Sequence, residues 1–68
     1  MKAIKLLKES QEANLRLAED YHKKADYAAF SKNAQDLEMY IKWANDYLNK
    51  AREIEEAIEE IESLKELA

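Results

Sequence analysis

The 68-residue chain contains no cysteine, no glycine and no proline, and each absence removes a class of structure or chemistry. Without cysteine there is no disulfide, no thiolate ligand for zinc and no thiol nucleophile. Without glycine there is no phosphate-cradling loop and no dinucleotide fingerprint, because both bring the backbone close to an anion where a Cβ would intrude. Tight turns and strand ends also lose their usual punctuation. Long apolar runs are missing too: none approaches the roughly 18 residues of a membrane span. The start, Met1-Lys2-Ala3-Ile4-Lys5, lacks the apolar core and cleavage site of a signal peptide, so a soluble chain with neither leader nor transmembrane segment is expected. Positive charge is not in excess either. The net charge of −4 gives no general attraction for nucleic acid or anionic lipid, and neither is expected as a partner.

What remains is a chain 38% charged and 47% apolar, built of helix formers, which argues for an all-α fold. In the second half Leu37, Tyr40, Ala44, Tyr47, Ala51, Ile54, Ile58 and Ile61 recur at alternating three- and four-residue steps, the seam of a coiled-coil-like helix. Ile4, Leu7, Gln11, Asn14, Ala18, Tyr21, Ala25 and Ala28 repeat the pattern in the first half. If the chain turns near Lys32 and Asn33, facing residue numbers add to about 65, and large residues meet small ones through the middle layers. Tyr21 then faces Ala44, Ala18 faces Tyr47, and Ile4 faces Ile61. The expected architecture is an antiparallel helical hairpin with helices over 2–30 and 34–66 and a turn at 31–33. One uninterrupted helix and a three-helix arrangement broken near Ala25-Asp26-Tyr27 are the alternatives. In the turn, Asn33 is expected to stand in for glycine as a left-handed cap, and its spacing to Asp36 is that of a capping box opening the second helix.

Residue usage divides the chain sharply. Every Asn, Gln, Asp, Tyr, Phe and Trp, and the single His, fall within residues 11–50, whereas 1–10 and 51–68 use few residue types. The first ten residues carry three Lys and one Glu, while residues 51–68 carry two basic and seven acidic groups. Lys at a helix start and Glu at a helix end each oppose the helix dipole, and they make sense when laid side by side. Residues 1–10 and 51–68 therefore read as an idealised stalk and 11–50 as a tip-proximal segment. Such abrupt boundaries are expected of an engineered scaffold, with a natural oligomerisation module as the alternative.

Several apolar residues lie off the seam. Leu6, Ala13 and Leu17 share one flank of the hairpin with Met39, Trp43, Ala57 and Leu64; Leu15 shares the other with His22, Leu37, Ile41 and Leu48. Two helices cannot cover both flanks, which predicts self-association, as a dimer or larger, into a four-helix bundle, with binding of another protein as the alternative. Trp43, Met39, Tyr27, Phe30 and Leu17 are the candidate partner-binding residues, since aromatics and Met are common interface anchors.

Catalytic and cofactor chemistry finds little support. Glu19-Asp20-Tyr21-His22 has the Glu-x-x-His spacing of di-iron and di-manganese bundles, with Asp26 one turn beyond, and a metal–carboxylate bundle using Glu19 and His22 is the alternative from another class. The facing seam, however, offers only Leu, Tyr, Ala and Ile, so no metal or other cofactor is expected. No Ser-His-Asp arrangement and no apolar pocket for a carboxylic acid is implied, and the chain is not expected to be an enzyme. Leu17, Ala18, Tyr21, Ala25, Asp26 and Tyr27 resemble the first-helix half of a tetratricopeptide repeat, with Ala where that family has glycine. The resemblance spans about 11 residues and is not followed by the family's second-helix pattern or a second repeat, so no peptide-binding role is carried across. The overall form is similar to small plasmid-type RNA-binding hairpins that dimerise, a likeness of architecture without matching residues.

Overall fold

The computed structural model describes residues 2–67; Met1 and Ala68, the outer ends of the stalk, lie outside the described residues. Helix α1 spans Lys2–Phe30 and helix α2 spans Ala34–Leu67, packed against each other. The all-α hairpin is therefore the fold, and among the described residues there is neither a single unbroken helix nor a third one. With no breaker inside either segment, Ala, Leu, Glu and Lys carry each helix without interruption. At 1.5 Å per residue, helices of 29 and 34 residues account for the 55 Å long axis.

All sixteen seam residues turn inward. Ala18, Ala25, Ala28, Ala44, Ala51 and Ile58 are buried, and the other ten seam residues are half-buried. Five of the six buried residues are alanine, which lets the helices approach closely but encloses little apolar surface. Larger seam residues are covered from one side only, because two helices make a layer and not a closed core. The radius of gyration of 15.8 Å, against about 11 Å for a compact chain of this length, reflects that openness.

Tyr21 shows how the helices interlock. Its ring lies 6.1 Å from Tyr40, 5.4 Å from Trp43 and 5.7 Å from Tyr47, three residues that frame Ala44, itself 0% exposed. Tyr21 is a knob in the hole formed by residues 40, 43, 44 and 47, the four-residue hole of coiled-coil packing. The tyrosine rings thus meet because Tyr21 sits over Ala44, between Tyr40 and Tyr47. Toward the open end the Gln11 amide donates to the Glu55 carboxylate, and the Lys8 ammonium lies 4.0 Å from Glu62. Both partners of that ion pair are more than half exposed, so it aligns the ends and adds at most about 1 kcal/mol. Asn14, also in the seam, satisfies its amide within its own helix, Nδ2 donating to the Ser10 carbonyl at 2.9 Å.

The turn corrects one expectation. Lys32, not Asn33, takes the left-handed conformation, with φ 58°. Its N–H donates to Ala29 O at 3.1 Å while the Asn33 N–H donates to Ala28 O at 2.9 Å, the paired bonds of a Schellman closure of α1. Asn33 is committed elsewhere, as the N-cap of α2. Its carbonyl accepts from Leu37 N–H at 3.0 Å, its Oδ1 accepts from Asp36 N–H at 3.1 Å, and its Nδ2 donates to Asp36 Oδ2 at 2.9 Å. An N-cap needs extended backbone, so the left-handed position falls one residue earlier. The Asn33–Asp36 capping pair does form: the Asp36 N–H reaches Asn33 Oδ1 as in a capping box, but the return bond runs between side chains, because the Asn33 N–H is already bound to α1.

Candidate interaction surface

The heptad pattern that buries the seam leaves the adjacent positions on either side half covered. On the first flank Leu17 is 40% and Trp43 39% exposed, Leu6 and Leu64 are exposed at the open end, and Met39 is half-buried. Tyr27 at 73% and Phe30 at 87% stand almost free near the turn. The structure thus brings Trp43 and Met39 onto a continuous surface, whereas Phe30 projects from the last turn of α1.

Trp43 anchors this flank through its neighbours. It meets Tyr21 and Tyr40 edge-on, at interplanar angles of 67° and 72°, the geometry that sets a ring's positive edge against a negative face. Tyr21, Tyr40, Trp43 and Tyr47 form one aromatic cluster, half inside the seam and half on the flank. Two lysines cover its edges: Lys24 Nζ lies 5.2 Å from the Tyr21 ring and 6.0 Å from Tyr40, and Lys50 Nζ lies 5.0 Å from Tyr47. Such exposed cation–π contacts add about 0.5–1 kcal/mol each and hold the ammonium groups along the cluster. The two lysines were missed by reading the apolar pattern alone, yet their signal is present. Tyr21–Lys24 and Tyr47–Lys50 share the same i, i+3 spacing, which stacks side chains on a helix face.

Beside the cluster, a cleft of about 390 Å³ opens near the turn between Lys24, Tyr27, Ser31, Asn33, Asp36 and Tyr40. It is open to solvent, and the Asp36 carboxylate on its wall is held by the cap. The second flank is poorer in apolar groups: Leu15 is 43% and Ile41 42% exposed, and Leu48 is half-buried among charged neighbours. Glu19, His22 and Asp26 are all exposed on this side of α1. Among the described residues no group of three or more His, Cys, Asp or Glu side chains is placed to hold a metal ion. No helix among them is long and apolar enough to cross a membrane. Comparison with known proteins finds no matching family model, no matching curated protein and no matching solved structure.

Proposed function

We propose that the protein is a non-enzymatic helical association module, a hairpin that self-associates into a four-helix bundle and presents its tip-proximal segment to protein surfaces. One observation carries this reading. A compact monomer of this 8.0 kDa mass exposes about 4,450 Å². The hairpin exposes 5526 Å². The excess, roughly 1,000 Å², is close to the ~800 Å² that each partner contributes to a standard interface. Leu6, Leu17, Trp43 and Leu64 are among the large apolar residues left exposed, and burying that flank would remove apolar surface from water. The change in residue usage at Gln11 and Lys50 supports a division of labour: the ends pair with each other as a built stalk, and residues 11–50 carry recognition.

Light scattering at micromolar concentration tests this. The expected mass is at least twice the 8.0 kDa of the chain, and a monomer at every concentration would refute the self-association. Trp43→Ala is expected to weaken association by about 2 kcal/mol, near thirtyfold in Kd, with helix content unchanged. Loss of helix content instead would make Trp43 part of the hairpin's own core.

A further inference from the structure

We propose that Tyr21 and Tyr47 form an oxidative coupling site, at which a one-electron oxidant joins the two rings by a carbon–carbon bond and the resulting dityrosine staples α1 to α2. The proposal is independent of the association reading above.

The site is made by the packing of the two helices. Tyr21 on α1 and Tyr47 on α2 are distant in sequence, yet their rings lie 5.7 Å apart and within 7° of parallel. Tyr21 and Tyr40 are further apart, at 6.1 Å, and tilted by 26°. Nearly parallel rings at the shorter spacing have carbons near van der Waals contact, so coupling asks for rotation of two side chains rather than rearrangement of the hairpin. Both tyrosines are half-buried, and both line a solvent-open cleft of about 300 Å³ with Trp43, Asp46 and Lys50. A small oxidant therefore reaches the pair from water, and water takes up the protons released.

The chemistry balances within the pair. Each phenol gives up one electron and its hydroxyl proton and becomes a neutral phenoxyl radical. The ammonium groups of Lys24 and Lys50, 5.2 Å from the Tyr21 ring and 5.0 Å from the Tyr47 ring, oppose a positive hole on either ring, so the electron and the proton leave together. The unpaired density of each radical extends to the carbons ortho to oxygen. Two of these carbons join, and their hydrogens move to the oxygens, which restores both aromatic rings and both hydroxyls. The net loss is two electrons and two protons. Trp43, 39% exposed and 5.4 Å from the Tyr21 ring, is the entry point: an indolyl radical at neutral pH is the stronger oxidant and takes its electron from the phenol beside it.

Such a link suits this chain. It has no cysteine and hence no disulfide, and five of its six buried residues are alanine, which hold the seam with little apolar surface.

The sequence makes the test direct. Trypsin, cutting after Lys and Arg, releases Tyr21 within 17–23, Tyr27 within 25–32, Tyr40 within 33–42 and Tyr47 within 43–50, so every tyrosine falls on its own peptide. The protein is oxidised with a photogenerated ruthenium(III) complex, persulfate being the terminal electron acceptor, and single chains are then separated under denaturing conditions. The expected product has monomer mass less two hydrogen atoms, fluoresces as dityrosine, joins 17–23 to 43–50, and keeps its helix content at temperatures that melt the untreated chain. Tyr21→Phe and Tyr47→Phe, each lacking only a hydroxyl, should lose this product, while Tyr27→Phe and Tyr40→Phe should keep it. A monomer in which 17–23 is joined to 33–42 instead would overturn the assignment. So would products found only at dimer mass, tyrosine consumption without any intrachain link, or an equal yield of the same link in concentrated urea, where the packing that makes the site is gone.

Discussion

Lys32 is the one residue among those described that holds a left-handed backbone without being glycine, and it offers a clean perturbation. A Cβ in that conformation costs about 1–2 kcal/mol. Lys32→Gly removes the clash, but glycine's greater freedom in the unfolded chain returns about 0.4–1 kcal/mol of the gain. The net expectation is a stabilisation of about 0.5–1 kcal/mol. Against the roughly 3–10 kcal/mol total that a chain of this size commands, that is a measurable fraction. It corresponds to a rise in Tm of about 2–8 °C, read by far-ultraviolet circular dichroism. All variants must be melted at one protein concentration, because the proposed association would make Tm concentration-dependent. Lys32→Ala, which keeps the Cβ, is expected to stay near the parent. Lys32→Val, β-branched, is expected to fall below it by about 1 kcal/mol or more. If Lys32→Gly lowers Tm while Lys32→Val is tolerated, the left-handed closure of α1 is wrong and the turn takes another form.

The cap on the other side of the turn is expected to behave as a hydrogen-bonded N-cap: Asn33→Ala should cost about 1 kcal/mol in thermal unfolding, and Asn33→Ser should recover most of it. Ala18, 1% exposed, leaves no room for a larger residue, so Ala18→Leu should cost about 1–3 kcal/mol, and adding Tyr47→Ala should restore part of the loss. A double-mutant cycle with no coupling would mean that Ala18 and Tyr47 do not face each other. His22→Ala, at an exposed position, is expected to change stability by less than about 0.5 kcal/mol, with zinc or ferrous ion leaving Tm unchanged in both proteins. A metal-dependent rise in Tm that His22→Ala abolishes would revive the Glu19–His22 metal reading.

The seam was legible because, in a two-helix layer, burial depends almost entirely on angular position around each helix, and a regular three-and-four step encodes that angle directly. Even polar Gln11 and Asn14 turn inward on that account, finding partners in Glu55 and the Ser10 carbonyl. The place of the turn was legible too, but not its backbone. Asn33 suits both a left-handed cap and an N-cap, and only the shared hydrogen bonds of the closed turn assign it to one and leave Lys32 with the other. The aromatic cluster was half visible. Tyr21, Tyr40 and Tyr47 could be placed in the seam, but their union with Trp43 needs the hole at residues 40, 43, 44 and 47, a property of two helices together. The proposed interface lies furthest from the sequence, since its energy would depend on a surface outside the chain.

That dependence has a structural root. In a single layer, the residues that set the pairing of α1 with α2 remain half uncovered. Tyr21, Tyr40 and Tyr47 are each intermediate in exposure, and Trp43 is only slightly more open. Whatever closes over the flank must pack against the same rings that fix the register within the chain. Stability and the proposed recognition would therefore draw on one set of side chains. Tyr47→Ala loosens the hole that holds Tyr21 and removes the ring that positions Lys50, so the fold and the association should weaken together. Leu6→Ala at the open end, 61% exposed, should weaken association while leaving the hairpin's own packing almost untouched.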